Sequence, residues 1–115
     1  MTDYVFAPPA TTSLSVRDSV RRFAVRRIFC IGRNYAAHVR ELGGDPKEQP
    51  PVFFNKAAAH ALHSGATLPY PPQTQDFHYE VELVAAVGKS GFRLRAEQAN
   101  DHVWGYCCGL DMTRR

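Results

Sequence analysis

The sequence predicts a β-rich α+β domain, because stretches of β-branched and aromatic residues at strand length dominate the chain. The strongest strand candidates are residues 25–31, 77–87 and 103–110. The helix candidates, residues 34–42 and 96–102, are brief, so the long helices that cover a doubly wound parallel sheet are not predicted. No internal repeat indicates a solenoid or a propeller.

The elements of the first half follow from local signals. Residues 11–22 are polar and weakly periodic, so we expect residues 1–24 to form a peripheral segment and residues 25–115 to form one domain. Asn34 is a good cap for the first short helix, and Gly43 and Gly44 can end it.

The second half contains the clearest strands. Residues 51–55 predict a strand, whereas the proline-rich residues 69–72 predict an extended connector, because proline cannot sit inside a sheet. Residues 77–87 form the longest predicted strand, and Gly88 begins a hairpin-like turn. A short helix then leads into the final strand, residues 103–110.

The composition is that of a soluble single domain. The 115 residues include 14 Lys or Arg and 11 Asp or Glu, for a formal net charge of +3. No zinc-finger spacing, RNP motif or basic heptad region accompanies this charge, so no nucleic-acid partner is predicted. No apolar run approaches the roughly 18 residues of a membrane span. Three cysteines, two of them adjacent, indicate buried, reduced thiols, and we expect a cytoplasmic protein.

Three carboxylates give the strongest indication of chemistry. Glu80 and Glu82 flank Val81 in the longest predicted strand, so their side chains should project from one face. Asp111 comes directly after the last predicted strand. Like charges on one face repel each other unless a cation lies between them, and a set of carboxylates suits Mg²⁺ or Mn²⁺. The alternatives are a solvated strand edge for the glutamates and a turn residue for the aspartate.

A second candidate group lies on and before the first short helix. His38 and Glu41 share a face of this helix because they are three residues apart. A histidine oriented by a carboxylate is a recurrent general base, although an exposed ion pair has the same spacing. Arg33 either binds an anionic substrate or is a solvated turn residue. His78 precedes Glu80 by two residues and should share its face, which allows a supporting role.

Four segments in register resemble the fumarylacetoacetate hydrolase family. They are residues 31–41, which contain Gly-Arg-Asn-Tyr and the His-Glu pair, residues 51–56, residues 78–83 and residues 105–113, which end in Asp-Met-Thr. The resemblance runs in order through residues 25–115. Within the family, the opening residues look most similar to the bacterial branch that hydrolyses fumarylpyruvate and other acylpyruvates.

This resemblance implies a mixed β-sandwich roll of the fumarylacetoacetate hydrolase type, with a Mg²⁺ or Mn²⁺ ion and a homodimer for the full-length protein. Residues 25–115 would be the N-terminal portion of the catalytic domain, so we expect the fold to be incomplete in this chain. His38 and Glu41 match the catalytic dyad of the family, and Arg115 falls on a substrate-contacting arginine. The metal carboxylates of the family fall on the three acidic residues identified above, Glu80, Glu82 and Asp111.

The reaction implied by the resemblance is hydrolysis of a C–C bond in a 1,3-dioxo acid, such as fumarylpyruvate giving fumarate and pyruvate. A cation would hold the acid end of this small-molecule substrate while His38 takes a proton from the attacking water. The alternatives are an oxaloacetate-type decarboxylase or isomerase on the same scaffold, or a catalytically incomplete fragment. Arg114 departs from the small residue usual in the family, and a lysine-bearing strand of the family has no counterpart before Arg115. We therefore expect the chain alone to be a poor catalyst.

Overall fold

The computed structural model describes residues 1–35, 40–43, 45 and 50–115. Within these residues the chain forms short strands and two 3₁₀ helices, which confirms the prediction of a β-rich chain with brief helices. The contacts divide the chain into two compact units, residues 1–66 and residues 67–115. The boundary expected between residues 24 and 25 stays a prediction.

The first unit begins with a small antiparallel hairpin that the sequence analysis did not predict. Strands β1 (Ser13–Ser15) and β2 (Arg22–Ala24) pair with Leu14 opposite Phe23. The Arg22 guanidinium closes the hairpin, because its Nε donates to Ser13 Oγ at 2.7 Å and its Nη2 to the Ser13 carbonyl at 3.0 Å. Strands of three residues are too short to produce a periodic pattern, so the sequence predicted only a peripheral segment here.

The second hairpin of this unit matches two predicted strands. Strand β3 (Ile28–Gly32) pairs antiparallel with β4 (Val52–Lys56), from Ile28 opposite Lys56 to Gly32 opposite Val52. Strand β3 begins three residues later than expected. Cys30 in its centre is the one hydrophobic residue classed as buried in the described part of the chain, with 8% of its surface exposed.

The structure describes the end of the helix predicted after β3. Arg40 and Glu41 are helical, and the Gly43 N–H donates to the Arg40 carbonyl at 2.9 Å. Gly43 has a φ of +81°, a conformation that glycine adopts without steric cost at the end of a helix. Residues 36–39, 44 and 46–49 lie outside the described residues, so the predicted beginning of the helix and the placement of His38 stay predictions.

The second unit is built on a long antiparallel ribbon. Strand β5 (Phe77–His78) pairs with β8 (Thr113–Arg114), and β6 (Val81–Val87) pairs with β7 (Val103–Leu110). The register is constant from Phe77 opposite Arg114, through Val81 opposite Leu110, to Ala86 opposite Gly105. A bulge between Ala86 and Val87 then shifts the pairing.

The single strand predicted over residues 77–87 is interrupted, which corrects that expectation. Tyr79 and Glu80 are not in strand conformation, so β5 and β6 are separate elements. The pairing nevertheless continues through the gap, because the Glu80 N–H donates to the Asp111 carbonyl at 3.2 Å and the Asp111 N–H to the Glu80 carbonyl at 2.8 Å. Side chains therefore keep alternating between the two faces across the interruption.

One face of the ribbon is apolar and exposed. Its uncovered large side chains are those of Val81, Leu83, Val87, Trp104, Tyr106 and Leu110. Cys107 and Cys108 are exposed too, so only Cys30 fits the expectation of buried thiols. The 3₁₀ helices Ala58–His60 and Ala96–His102 are short, and none of the described helices could cross a bilayer.

Candidate metal centre

The ribbon brings Glu80, Glu82 and Asp111 together. Glu80 and Asp111 exchange both backbone hydrogen bonds and are thus directly opposite each other, with their side chains on the same face. Glu82 lies two residues further along, so it returns to this face. Each of the three side chains offers a carboxylate oxygen within 4.8 Å of the other two, and all three residues are partly buried.

These donors fit a hard divalent cation. Two unit charges 4.8 Å apart repel by about 3.5 kcal/mol at an effective dielectric constant of about 20, so three carboxylates this close together favour a cation among them. The group consists of carboxylate oxygens without a thiolate or an imidazole, which is the ligand chemistry of Mg²⁺ or Mn²⁺ rather than of Zn²⁺. Three ligands leave coordination positions for water or for the oxygens of a substrate.

Arg115 lies at the edge of the cluster. Its Nη2 donates to Glu80 Oε1 at 2.8 Å, and its Nε donates to His78 Nδ1 at 2.9 Å. The backbone holds this position as well, because the Arg115 N–H donates to the Asp76 carbonyl at 3.0 Å. The Arg115 side chain is about one-third exposed, so the guanidinium is accessible beside the carboxylates.

His78 and Asp76 extend this arrangement. Residues 76, 78, 80 and 82 alternate along one strand direction and therefore project from the same face. His78 Nε2 contacts Asp76 Oδ1, which forms a chain of contacts from Asp76 through His78 and Arg115 to Glu80. His78 was predicted from its spacing to share the face of Glu80, whereas Asp76 was missed, although its even spacing from Glu80 indicated the same face.

The other predicted site residues lie in the first unit. Arg33 follows β3, is exposed and has a φ of +56°, which is uncommon for a residue with a side chain. Asp18 and Arg93 share this conformation, so it does not single out Arg33. Glu41 is exposed in a helical turn, and His38 lies outside the described residues. The roles of Arg33, His38 and Glu41 therefore stay predictions.

Comparisons with known proteins assign the chain to a family. The domain family described as "Fumarylacetoacetate (FAA) hydrolase C-terminal" matches residues 27–115. A crystal structure of fumarylpyruvate hydrolase from Pseudomonas aeruginosa, in complex with Mn²⁺ and pyruvate, superposes with a TM-score of 0.91 at 54% sequence identity, covering 98% of this chain and 50% of that one.

Two curated relatives carry different activities in their names. The fumarylpyruvate hydrolase of a Ralstonia species is 48% identical over 71 residues, which are 62% of this chain and 37% of the relative. The mitochondrial oxaloacetate tautomerase of Arabidopsis thaliana is 42% identical over 90 residues, which are 77% of this chain and 40% of the relative. The chain thus spans half or less of the length of these relatives. Its strands form part of the fumarylacetoacetate hydrolase type of fold, and the chain belongs to the fumarylacetoacetate hydrolase family.

Proposed function

We propose that this protein is a metal-dependent hydrolase that cleaves a C–C bond in acylpyruvates, with fumarylpyruvate as the substrate and fumarate and pyruvate as the products. The observation that carries the proposal is the cluster of Glu80, Glu82 and Asp111 with Arg115 at its edge. The Pseudomonas aeruginosa relative, which is 54% identical, binds Mn²⁺ and pyruvate. A site that combines a cation with a guanidinium is suited to the acid end of such a substrate.

Glu80, Glu82 and Asp111 would hold Mg²⁺ or Mn²⁺. When bound, the cation would supply a fixed positive charge that stabilises the negative charge developing on the pyruvate portion as the C–C bond breaks. The chain contributes the placement of this charge, because the backbone pairing of Glu80 with Asp111 holds their carboxylates on one face of the ribbon.

Arg115 would bind the substrate carboxylate. A guanidinium has five N–H donors in a rigid plane, and two of them are used by His78 and Glu80 in the described part of the protein. The remaining donors can form charge-assisted hydrogen bonds with carboxylate oxygens next to the cluster. Arg33 is proposed as a second substrate-binding cation, on the basis of the sequence alone.

His38, oriented by Glu41, would act as the general base. It would take a proton from water while the water oxygen forms a bond to the carbonyl carbon distal to the acid end. The C–C bond then breaks, and its electron pair stays with the pyruvate portion as an enolate. A proton returns to the enolate carbon that was part of the broken bond, which gives pyruvate. The other product is fumarate, so one water is consumed for each bond cleaved.

Further proposals rest on the sequence and on the resemblance to the family. We propose a cytoplasmic homodimer for the full-length protein, a peripheral segment over residues 1–24 and a catalytic domain that begins at residue 25.

An isomerase or decarboxylase acting on oxaloacetate is the second candidate function, because the tautomerase of Arabidopsis thaliana is 42% identical over 90 residues. In that reaction the cation and Arg115 would hold the substrate in the same way, and no water would attack.

A hybrid enzyme tests the proposal. This chain would replace the aligned half of the Pseudomonas aeruginosa relative, of which it covers 50%, and the hybrid would be assayed with Mn²⁺ and fumarylpyruvate. We expect release of fumarate and pyruvate in equal amounts, and loss of this activity on chelation of the metal or on Glu82→Gln. Glu97→Gln, which changes an exposed glutamate paired with Arg95, is the matched control and should leave turnover unchanged.

The outcomes separate the candidate functions. A hybrid that binds Mn²⁺ but releases no pyruvate from fumarylpyruvate contradicts the hydrolase proposal, and faster conversion of oxaloacetate than of fumarylpyruvate supports the second candidate. If the hybrid does not fold, Mn²⁺ titration of the 115-residue chain decides about the metal site, since the three carboxylates lie in one ribbon.

A further inference from the structure

We propose that His78, held by Asp76, is a positioning residue that fixes the guanidinium of Arg115 beside the carboxylate cluster in the orientation that receives the substrate carboxylate. The inference rests on the proposed function for the role of Arg115 and deepens it. It concerns two residues that the site does not otherwise use.

The contacts define the tautomer of His78. An arginine Nε can only donate, so His78 Nδ1, at 2.9 Å, must accept with its lone pair. The ring proton of a neutral imidazole then lies on Nε2, where it points to Asp76 Oδ1, an acceptor. Asp76 therefore fixes the tautomer that leaves Nδ1 free to accept, as carboxylates do for other histidines that orient a partner.

The contact with His78 restricts the orientation of Arg115. Without it, the side chain would keep the bond from Nη2 to Glu80 Oε1 at 2.8 Å, and rotation about this single contact would remain possible. The second bond, from Nε, fixes the plane of the guanidinium, because a planar group held at two of its donors cannot rotate freely. The unused donors then point in one direction rather than in many, which lowers the entropy lost when a carboxylate binds.

The backbone places the participants together. The Arg115 N–H donates to the Asp76 carbonyl at 3.0 Å, so the two residues are directly opposite each other in the ribbon. Thr74 Oγ1 accepts from the Asp76 N–H at 3.0 Å and donates to the Arg115 carbonyl at 2.9 Å, which ties the two chain segments once more. The His78 side chain is 46% exposed and the Asp76 side chain 62% exposed, so the core of the protein does not require them. Their arrangement is better explained by the arginine that they hold.

Two substitutions of His78 separate positioning from structure. His78→Leu removes the acceptor, whereas His78→Asn keeps an oxygen near the position of Nδ1. In the hybrid enzyme we expect His78→Leu to raise KM for fumarylpyruvate about tenfold, the effect of losing one hydrogen bond to a charged group, with kcat changed less than about twofold. His78→Asn should restore KM to within about threefold of the parent. His63→Leu, at an exposed histidine whose side chain makes no hydrogen bond within the described residues, is the matched control.

A spectroscopic measurement tests the same inference without activity. In the ¹⁵N-labelled 115-residue chain, His78 should show the nitrogen signals of the Nε2–H tautomer, and the Arg115 Nε–H signal should shift on His78→Leu but not on His63→Leu. Equal KM values for the parent and for both His78 variants would overturn the inference, as would an unchanged Arg115 signal or equal impairment by leucine and asparagine. A shifted Arg115 signal in the 115-residue chain, together with a hybrid that never cleaves fumarylpyruvate, would refute the proposed function and leave the positioning role supported.

Discussion

Replacing Glu82 by glutamine should weaken Mn²⁺ binding and strengthen the metal-free ribbon at the same time. The three carboxylates offer oxygens within 4.8 Å of one another, where each pair of charges repels by about 3.5 kcal/mol at an effective dielectric constant of about 20. Glutamine has nearly the same shape as glutamate but no charge, so it removes two of these three repulsions. The substitution also removes one of the three anionic ligands from the cation.

The expected magnitudes follow from exposure and ligand chemistry. The Glu80 side chain is still 25% exposed and is paired with the Arg115 guanidinium at 2.8 Å. Solvent and this cation offset part of the repulsion, so we expect a relief of about 1 kcal/mol rather than the full repulsion. Such a change corresponds to about a fivefold shift in an opening equilibrium. Loss of groups that merely support a ligand reduces metal affinity by about 10- to 100-fold, so loss of the Glu82 ligand itself should cost at least about 100-fold.

Both effects can be measured on the 115-residue chain. Electron paramagnetic resonance of free Mn²⁺ gives the dissociation constant, and hydrogen exchange of the Asp111 amide, which donates to the Glu80 carbonyl at 2.8 Å, reports opening of the ribbon. We expect the Glu82→Gln chain to lose tight binding while its Asp111 amide exchanges about fivefold more slowly without metal. Glu97→Gln should change neither quantity. An affinity within threefold of the parent, or no Mn²⁺ binding by the parent itself, would refute the assignment of this cluster.

Three further predictions concern the base, the ribbon and the isolated chain. His38→Ala in the hybrid enzyme should lower kcat for fumarylpyruvate by about 10²- to 10⁴-fold with unchanged Mn²⁺ affinity, and an unaltered kcat would exclude His38 as the base. Gly88→Ala should destabilise the ribbon by about 1–3 kcal/mol in denaturant titrations, because the new Cβ would lie 2.7 Å from Trp104 Cβ. Gly105→Ala should cost less than half as much, because no atom lies within 4 Å of the position of its new Cβ. The 115-residue chain should self-associate in sedimentation experiments, since its apolar ribbon face is exposed. It should also cleave fumarylpyruvate far more slowly than the hybrid. A monomeric chain with activity comparable to that of the hybrid would contradict both expectations.

The sequence by itself predicted the class of the fold and the carboxylate cluster. Alternation of side chains along a strand is a local property, so the placement of Glu80 and Glu82 on one face followed from their spacing. The long β6 and β7 strands were also predicted from a local property, since both segments are rich in apolar residues over strand length. The hairpin of β1 and β2 was missed because three residues are too few to show a period.

Only the tertiary structure decided which distant residues join the cluster. The constant register of the ribbon sets Asp111 opposite Glu80 and Arg115 opposite Asp76, and register depends on pairing between segments about 30 to 40 residues apart, which no local pattern specifies. Arg115 was therefore expected from family resemblance alone, and Asp76 was not expected at all. The contact between His78 and Arg115 arises from that pairing, because a hydrogen bond requires two groups at a defined distance and orientation, whereas the sequence gives only their order.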